Sequence, residues 1–256
     1  DRNNIPRVWM DHGAWPLLTT QLYLDASDDL EFLLQDQVYF KDQFTSRAQA
    51  LDLTWKPEDG TQLKTADGAV YRGSIFEHLL IQHLTAFFNV GEHNIIRLEG
   101  ADWNDGMDMA RQRGESVAFT ALYAGNLRAL SELALTLTAR GRTEIDVAAE
   151  LLALLDTLSD PVDYNAIAAK QARLAAYFDT VQPTISGAKV AVELRALAGD
   201  LAAKADWLTE HLRRQEWIAS AEGGGWFNGY YDEDGQRVEG EHPRGARMTL
   251  TGQTFA

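Results

Sequence analysis

The chain has 256 residues, 45% hydrophobic and 24% charged, with a formal net charge of −15 and no cysteine. That length buries a sizeable core as one large domain or two small ones. The acidic balance argues against nucleic acid, whose phosphates call for clustered Lys and Arg, and against an anionic membrane surface. Neutral sugars, which need hydrogen bonds and aromatic faces, remain open as partners. Without cysteine, disulfide and thiolate chemistry are excluded. No run approaches the roughly 18 apolar residues of a membrane helix, and no basic segment precedes an apolar one at the N-terminus, so a cytoplasmic protein is the default. The chain starts at Asp1 and stops at Ala256, and both ends read as cuts in a longer protein.

In chain order, the apolar-periodic runs 13–26 and 28–40 predict two helices. Between them stands Ser27-Asp28-Asp29, an N-cap followed by acids that suit a helix N-terminus. Pro16 fits only in a first turn. Residues 41–73, polar and punctuated by Gly and Pro, predict a long loop with a short hairpin at Asp67-Gly68. Ser74-Ile75-Phe76-Glu77 is a capping box opening a helix to about Asn89. After an irregular, Gly-rich segment over 90–114, helices are predicted over 115–139, 143–157, 161–181 and 187–217. In the last, Val190, Leu194, Leu197, Leu201, Ala205, Leu208 and Leu212 form one apolar stripe. Residues 224–238 change period, with Trp226, Phe227, Tyr230 and Tyr231 before the turn signal Asp234-Gly235, which predicts a small β-hairpin. The chain reads as mainly α, antiparallel helix pairs joined by unequal loops, and function is expected on the long loops.

The stretch Leu98 to Asp108 carries the chemistry: Asp102, Asp105 and Trp103 on a Gly-bounded loop between apolar helices. A carboxylic acid can protonate a glycosidic oxygen, and a Trp offers a sugar an apolar platform. Asn104 and the other Asp can bond hydroxyls or hold the loop in shape. Taken alone, Asp/Asn/Gly clusters usually only shape loops. A calcium loop fails: counted from Asp102, the fifth residue is Gly106 and the twelfth Arg113, where an EF-hand needs oxygens. His78 and His83 miss the i, i+4 spacing of a helical zinc pair and read as packing or surface residues. Glu115 reads as favouring a helix N-terminus, and Glu77 as the capping-box partner rather than a catalytic group.

Asp102-Trp103-Asn104-Asp105-Gly106 resembles the D-W-N-D-G signature of the cellobiose-phosphorylase-like family, glycoside hydrolase family 94. Four further segments are similar in the same order: Asp11 to Leu17, Ser74 to His78, Gly114-Glu115-Ser116-Val117, and Gly225-Trp226-Phe227 with Tyr231 to Gly235. The resemblance implies an (α/α)6 toroid, of which residues 1–256 are a partial catalytic barrel truncated at both ends, with the β-hairpin as an insertion. It implies Asp105 as the general acid of an inverting phosphorylase. Trp103 then lines the donor-sugar subsite, Asp11 binds donor hydroxyls, and Asp102 joins the substrate-binding set. Arg7 is the nearest match to a donor-binding arginine, although its spacing from Asp11 departs from the family pattern. No metal and no cofactor is implied; inorganic phosphate is the co-substrate. Phosphate-site residues are expected past the hairpin, and Arg244 and Arg247 read as solvated, so this segment alone is expected to be inactive. Phe76 to Leu80 and Glu99 to Trp103 look most like enzymes acting on β-1,2-oligoglucans, with a homodimer of the full-length protein kept as an expectation. The alternatives are an inverting hydrolase or glucan-synthase-associated barrel, and a non-catalytic sugar-binding helical module.

Overall fold

The computed structural model describes residues 9–47, 50–102, 104, 107 and 110–256. Among these the chain is mainly α, with helices α1 (Trp15–Ser27), α2 (Ile75–Phe88), α3 (Val117–Ala139), α4 (Ile167–Val181), α5 (Leu194–Gln215) and the short α6 (Leu250–Phe255). Short strands join them in antiparallel pairs. They are β1 (Asp36–Val38) with β4 (Arg72–Ser74), β2 (Phe44–Thr45) with β3 (Ala50–Leu51), and β5 (Glu115–Ser116) with β10 (Tyr230–Tyr231). The others are β6 (Glu144–Ala148) with β7 (Lys189–Glu193), β8 (Trp217–Ala219) with β9 (Gly225–Phe227), and β11 (Gly240–His242) with β12 (Gly245–Arg247). Among the described residues no helix is long and apolar enough to cross a membrane.

Pro16 sits in the first turn of α1, where its missing N–H leaves no intrahelical bond unmade. The helix ends on Asp28, left-handed at φ 53°. The second helix expected over 28–40 does not form. A 3-10 turn, Leu30–Leu34, leads into β1 instead. Ser27 is the last residue of α1 rather than an N-cap, its hydroxyl donating to the Tyr23 carbonyl (2.7 Å) and accepting from the Asp29 N–H (3.2 Å). The left-handed Asp28 breaks the helical path, and pairing with β4 gives the following backbone its partners. The hairpin at Asp67-Gly68 is present, with Gly68 at φ 89° and the Thr65 N–H donating to the Ala69 carbonyl at 2.8 Å.

Ser74 caps α2 by accepting from the Glu77 N–H at 3.1 Å. Glu77 does not return the bond. Its buried carboxylate accepts from Tyr39 (2.6 Å), Tyr71 and the Ala148 N–H (2.8 Å), tying the helix to β6 and the loop after β1. Burial drives its acidity toward the neutral form, against those three donors. Helix α3 stops before Gly141, at φ 93°, as its sequence predicts.

Two more predicted helices give way in part to strands. The run 143–157 is β6 followed by 3-10 turns, and the run 187–217 opens as β7 before becoming α5. Ile145, Val147 and Val192 alternate into the core, a period-2 pattern that short apolar windows share with helices. Leu194, Leu197, Leu201, Ala205, Leu208 and Leu212 form the buried face of α5 as expected, while Val190 lies on β7. Helix α4 begins at Ile167 rather than beside Pro161, because the preceding turn is held to Asp156 through the Val162 N–H (2.9 Å) and the Tyr164 hydroxyl (2.9 Å). The same Asp156 and Asp200 neutralise the buried Lys204 at 2.6 and 2.7 Å, locking α5 to that turn. The turn at Asp234-Gly235 forms as predicted, with Gly235 at φ 72°.

Candidate functional site

Two segments far apart in sequence meet at one place. Met10–Gly13 is a single 3-10 turn, and its Met10 N–H donates to the Ala101 carbonyl at 3.0 Å, while Trp9 bridges to Glu99. From the other side α3 grips the same turn: the Tyr123 hydroxyl donates to the Met10 carbonyl (2.6 Å) and the Asn126 amide to the Ala14 carbonyl (3.2 Å). Asn126 is held in turn by the buried, neutral His83, whose ring donates to the Leu79 carbonyl at 2.7 Å and accepts from Asn126 at 3.0 Å. Gly13 leaves room for Tyr123; a Cβ there would stand 2.5 Å from its hydroxyl.

This frame presents Asp11. The residue is 5% exposed, and its Oδ2 accepts from the Trp15 indole N–H at 2.8 Å. Its Oδ1 is buried with no donor. Among the described residues every other fully buried carboxylate has donors on both oxygens: Glu77, Glu99, Asp102, Glu115, Asp156, Asp200, Glu216 and Glu239; the half-buried Glu150, in the 3-10 turn after β6, also keeps one oxygen without a donor. A buried acceptor left unpaired costs about 1–3 kcal/mol, so proteins seldom keep one without a use.

Asp102 lies alongside, close enough for the Asp11 charge to oppose its ionisation; burial is the larger cause of its raised pKa. Its Oδ1 accepts from the Asn104 N–H (2.7 Å) and its Oδ2 from the Ser116 hydroxyl (2.8 Å). These bonds shape the loop, one of the two uses its sequence suggests. Ser116 also caps α3 by accepting from the Phe119 N–H at 3.3 Å, so one hydroxyl joins the signature loop to a helix start. Gly114 makes the return possible: a Cβ there would collide with the Ala110 carbonyl oxygen.

Glu115, expected to favour its own helix N-terminus, instead lies wholly buried under the loop before it. Its carboxylate accepts from the His93 and Ile95 N–H groups (both 3.1 Å) and faces the His93 ring at 2.5 Å. Burial raises its pKa against those bonds. The His93 ring stacks on Tyr231, centroids 3.6 Å apart, and the neighbouring Tyr230 phenol is buried beside Asp102, which with burial raises its pKa. The Gly225–Gly235 and Gly114–Val117 segments are thus in register through β5 and β10.

Of the residues singled out in the sequence, Asp11 and Asp102 are brought together. Arg7, Trp103, Asp105 and Asp108 lie outside the described residues. His12 is exposed and packs edge-on against Trp9 (centroids 4.8 Å). His83 packs in the core, and Arg244 and Arg247 are exposed. A cavity of about 460 Å³ flanks α2, lined by Tyr39, Phe44, Arg47, Gln82, Thr85 and Phe178 among others. Sequence reasoning missed Arg47, Tyr123 and Ser116 as parts of the site. Only Ser116, inside a recognised motif, carried a readable signal.

Comparison with known families agrees over the centre of the chain. Residues 61–156 match the family described as the glycosyl hydrolase 94 superfamily, catalytic domain. No curated protein matches the chain.

Proposed function

We propose, from the match of residues 61–156 to the catalytic domain of the glycosyl hydrolase 94 superfamily, that the chain is part of an inverting glycoside phosphorylase. Asp105 is the general acid. It protonates the glycosidic oxygen of a β-linked glucoside while inorganic phosphate attacks the anomeric carbon from the opposite face, giving α-glucose 1-phosphate. Phosphate is already anionic at neutral pH and needs no base. Trp103 and Arg7 complete the donor subsite, with Asp102 shaping the loop that carries it. The helices belong to an (α/α)6 toroid, the substrate is a β-1,2-oligoglucan, and the protein acts in the cytoplasm.

The observation that carries this reading is the unpaired Oδ1 of Asp11, fixed against the segment that leads into the signature. A sugar hydroxyl is the donor it lacks. A hydrolase would need a second carboxylate free to activate water. Asp102 and Glu99 have both oxygens committed to protein donors, and the open oxygen of Asp11 is taken by a donor-sugar hydroxyl, so the phosphate requirement is decided by assay.

The test uses the intact protein on a panel of β-linked gluco-oligosaccharides. Sugar phosphate should appear only when phosphate is supplied, and Asp105→Asn should slow its release by about 10²–10⁴-fold. Reducing sugar released without phosphate would establish the hydrolase instead. An Asp105→Asn protein with undiminished activity would remove the acid from the scheme.

A further inference from the structure

Two residues without glycine's freedom adopt left-handed backbone and meet each other. Arg47, after β2, has φ 58°, and Glu99, three residues before Asp102, has φ 57°. The Arg47 Nε–H is shared between both Glu99 oxygens at 3.1 Å each, and a guanidinium N–H reaches the Thr85 hydroxyl at 3.5 Å. Glu99 Oε1 also accepts from the Asn89 amide at 2.8 Å, at the end of α2. Left-handed non-glycine backbone costs on the order of 1 kcal/mol per residue and persists where surrounding contacts enforce it, often at functional sites. Here the strain stands at both ends of one ion pair whose side chains are only 17% and 7% exposed.

The pair sits at a junction. Glu99 is bridged to Trp9, two residues before Asp11, and its chain continues through Ala101, the acceptor for Met10, into Asp102. Arg47 lines both the 460 Å³ cavity and a second one beside Asn89, Arg97 and Gln171. Among the described residues its bonds go to Glu99 and Thr85 rather than to the Asp11 carboxylate, and its partner Glu99 faces away from solvent. Its influence therefore runs through backbone direction at Glu99.

We propose that Arg47 is a positioning residue: by holding Glu99 in its left-handed conformation it sets the path of residues 99–102, which lead into the signature, and with it the position of Asp102 relative to Asp11. The inference rests on the phosphorylase reading only for its kinetic test. A displacement of about 1 Å at reacting atoms costs on the order of 10²-fold, so Arg47→Ala should lower kcat by about ten- to a hundredfold while KM moves little. Arg47→Lys, which keeps charge but not the shared Nε–H, should recover part of the loss.

The experiment compares Arg47→Ala, Arg47→Lys, Glu99→Gln and the Arg47→Ala/Glu99→Gln double variant in the intact protein. Phosphorolysis kinetics are measured together with ¹⁹F resonances of 5-fluorotryptophan, the Trp103 signal being assigned by Trp103→Phe. The double variant should be no worse than the worse single one, and Arg47→Ala and Glu99→Gln should displace the Trp103 resonance in the same direction. Additive losses, a rise in KM alone, or an unmoved Trp103 resonance in folded Arg47→Ala would overturn the proposal. If the unmutated protein performs no phosphorolysis, the functional reading fails, and the resonances still decide the positioning role.

Discussion

Asp11→Ala separates a residue kept for function from one kept for stability. The substitution removes the acceptor of the Trp15 indole N–H and, with it, the oxygen that has no donor. Leaving a buried donor unpaired costs about 1–3 kcal/mol, and removing a buried unpaired acceptor recovers a similar amount. Trp15 is only partly buried, so water can take over its N–H. The two effects nearly cancel, and the expected change in unfolding free energy is under about 1 kcal/mol. Catalysis should respond differently. A hydrogen bond from a sugar hydroxyl to a carboxylate contributes about 1.5–3 kcal/mol, which is roughly 10- to 150-fold in kcat/KM. Urea unfolding of the chain, followed by far-ultraviolet dichroism, gives the first quantity, and phosphorolysis by the intact protein gives the second. Asp11→Asn, which keeps an acceptor but not the charge, should fall between. A loss of more than about 3 kcal/mol in stability with kcat/KM unchanged would refute the reasoning, because Asp11 would then be a structural carboxylate like Glu77 or Asp200.

Two predictions concern the frame around the site. Gly114→Ala should destabilise by about 1–3 kcal/mol, since the new methyl group meets the fixed Ala110 carbonyl oxygen; Gly125→Ala, in the open interior of α3, should instead stabilise by up to about 1 kcal/mol. Equal urea midpoints for the two variants would show that the loop at Gly114 has room to spare. Burial pushes the His83 imidazole down to about 4 from 6.5. The unfolded chain then binds a proton that the folded chain does not between those values, so stability is full above about pH 6.5 and is lost as the pH falls toward 4. The loss amounts to about 3 kcal/mol at 1.36 kcal/mol per pH unit. The buried carboxylates with raised pKa values act in the opposite sense, so the contribution is read as the difference between the unmutated chain and His83→Gln across pH 4–7. A constant difference would mean that His83 is not held neutral.

What the sequence discloses follows the range of the forces involved. Helices α2, α3 and the body of α5 are legible because their caps and apolar stripes are local: Ser74, Ser116, Gly141 and Leu194 to Leu212 lie within a few turns of what they specify. Strands β1, β6 and β7 are not, because their pairing partners lie 34 to 38 positions away in the chain for β1 and 41 to 49 for β6 and β7. Before those partners are known, Ile145, Val147 and Val190 fit an apolar helix about as well as a strand. Glu77 shows the same limit at one residue. Its spacing from Ser74 spells a capping box, yet three donors from β6 and two tyrosines outcompete the local bond. In the site, the motifs that meet around Asp102 are readable as motifs, whereas the left-handed Arg47 and Glu99 are not, since neither residue type announces that conformation.

The Asp11 turn explains why these non-local residues matter to chemistry. Met10–Gly13 is four residues long and has no side-chain cap of its own. Its geometry is supplied by the Ala101 carbonyl on one side and by Tyr123 and Asn126 on the other. Those supports are themselves secured: Ala101 by the bonds of Glu99 and Asp102 on either side of it, Asn126 by His83 in the core. A short turn stabilised in this way has no independent preference to fall back on, so a shift in the 99–102 backbone reaches Asp11 through the Met10 to Ala101 bond and the Trp9–Glu99 bridge. Residues outside the Asp11–Asp102 cluster can therefore set the distance between its two halves, and the positions that bear on it are Glu99, with Arg47 behind it, and Ser116, which ties Asp102 to the start of α3.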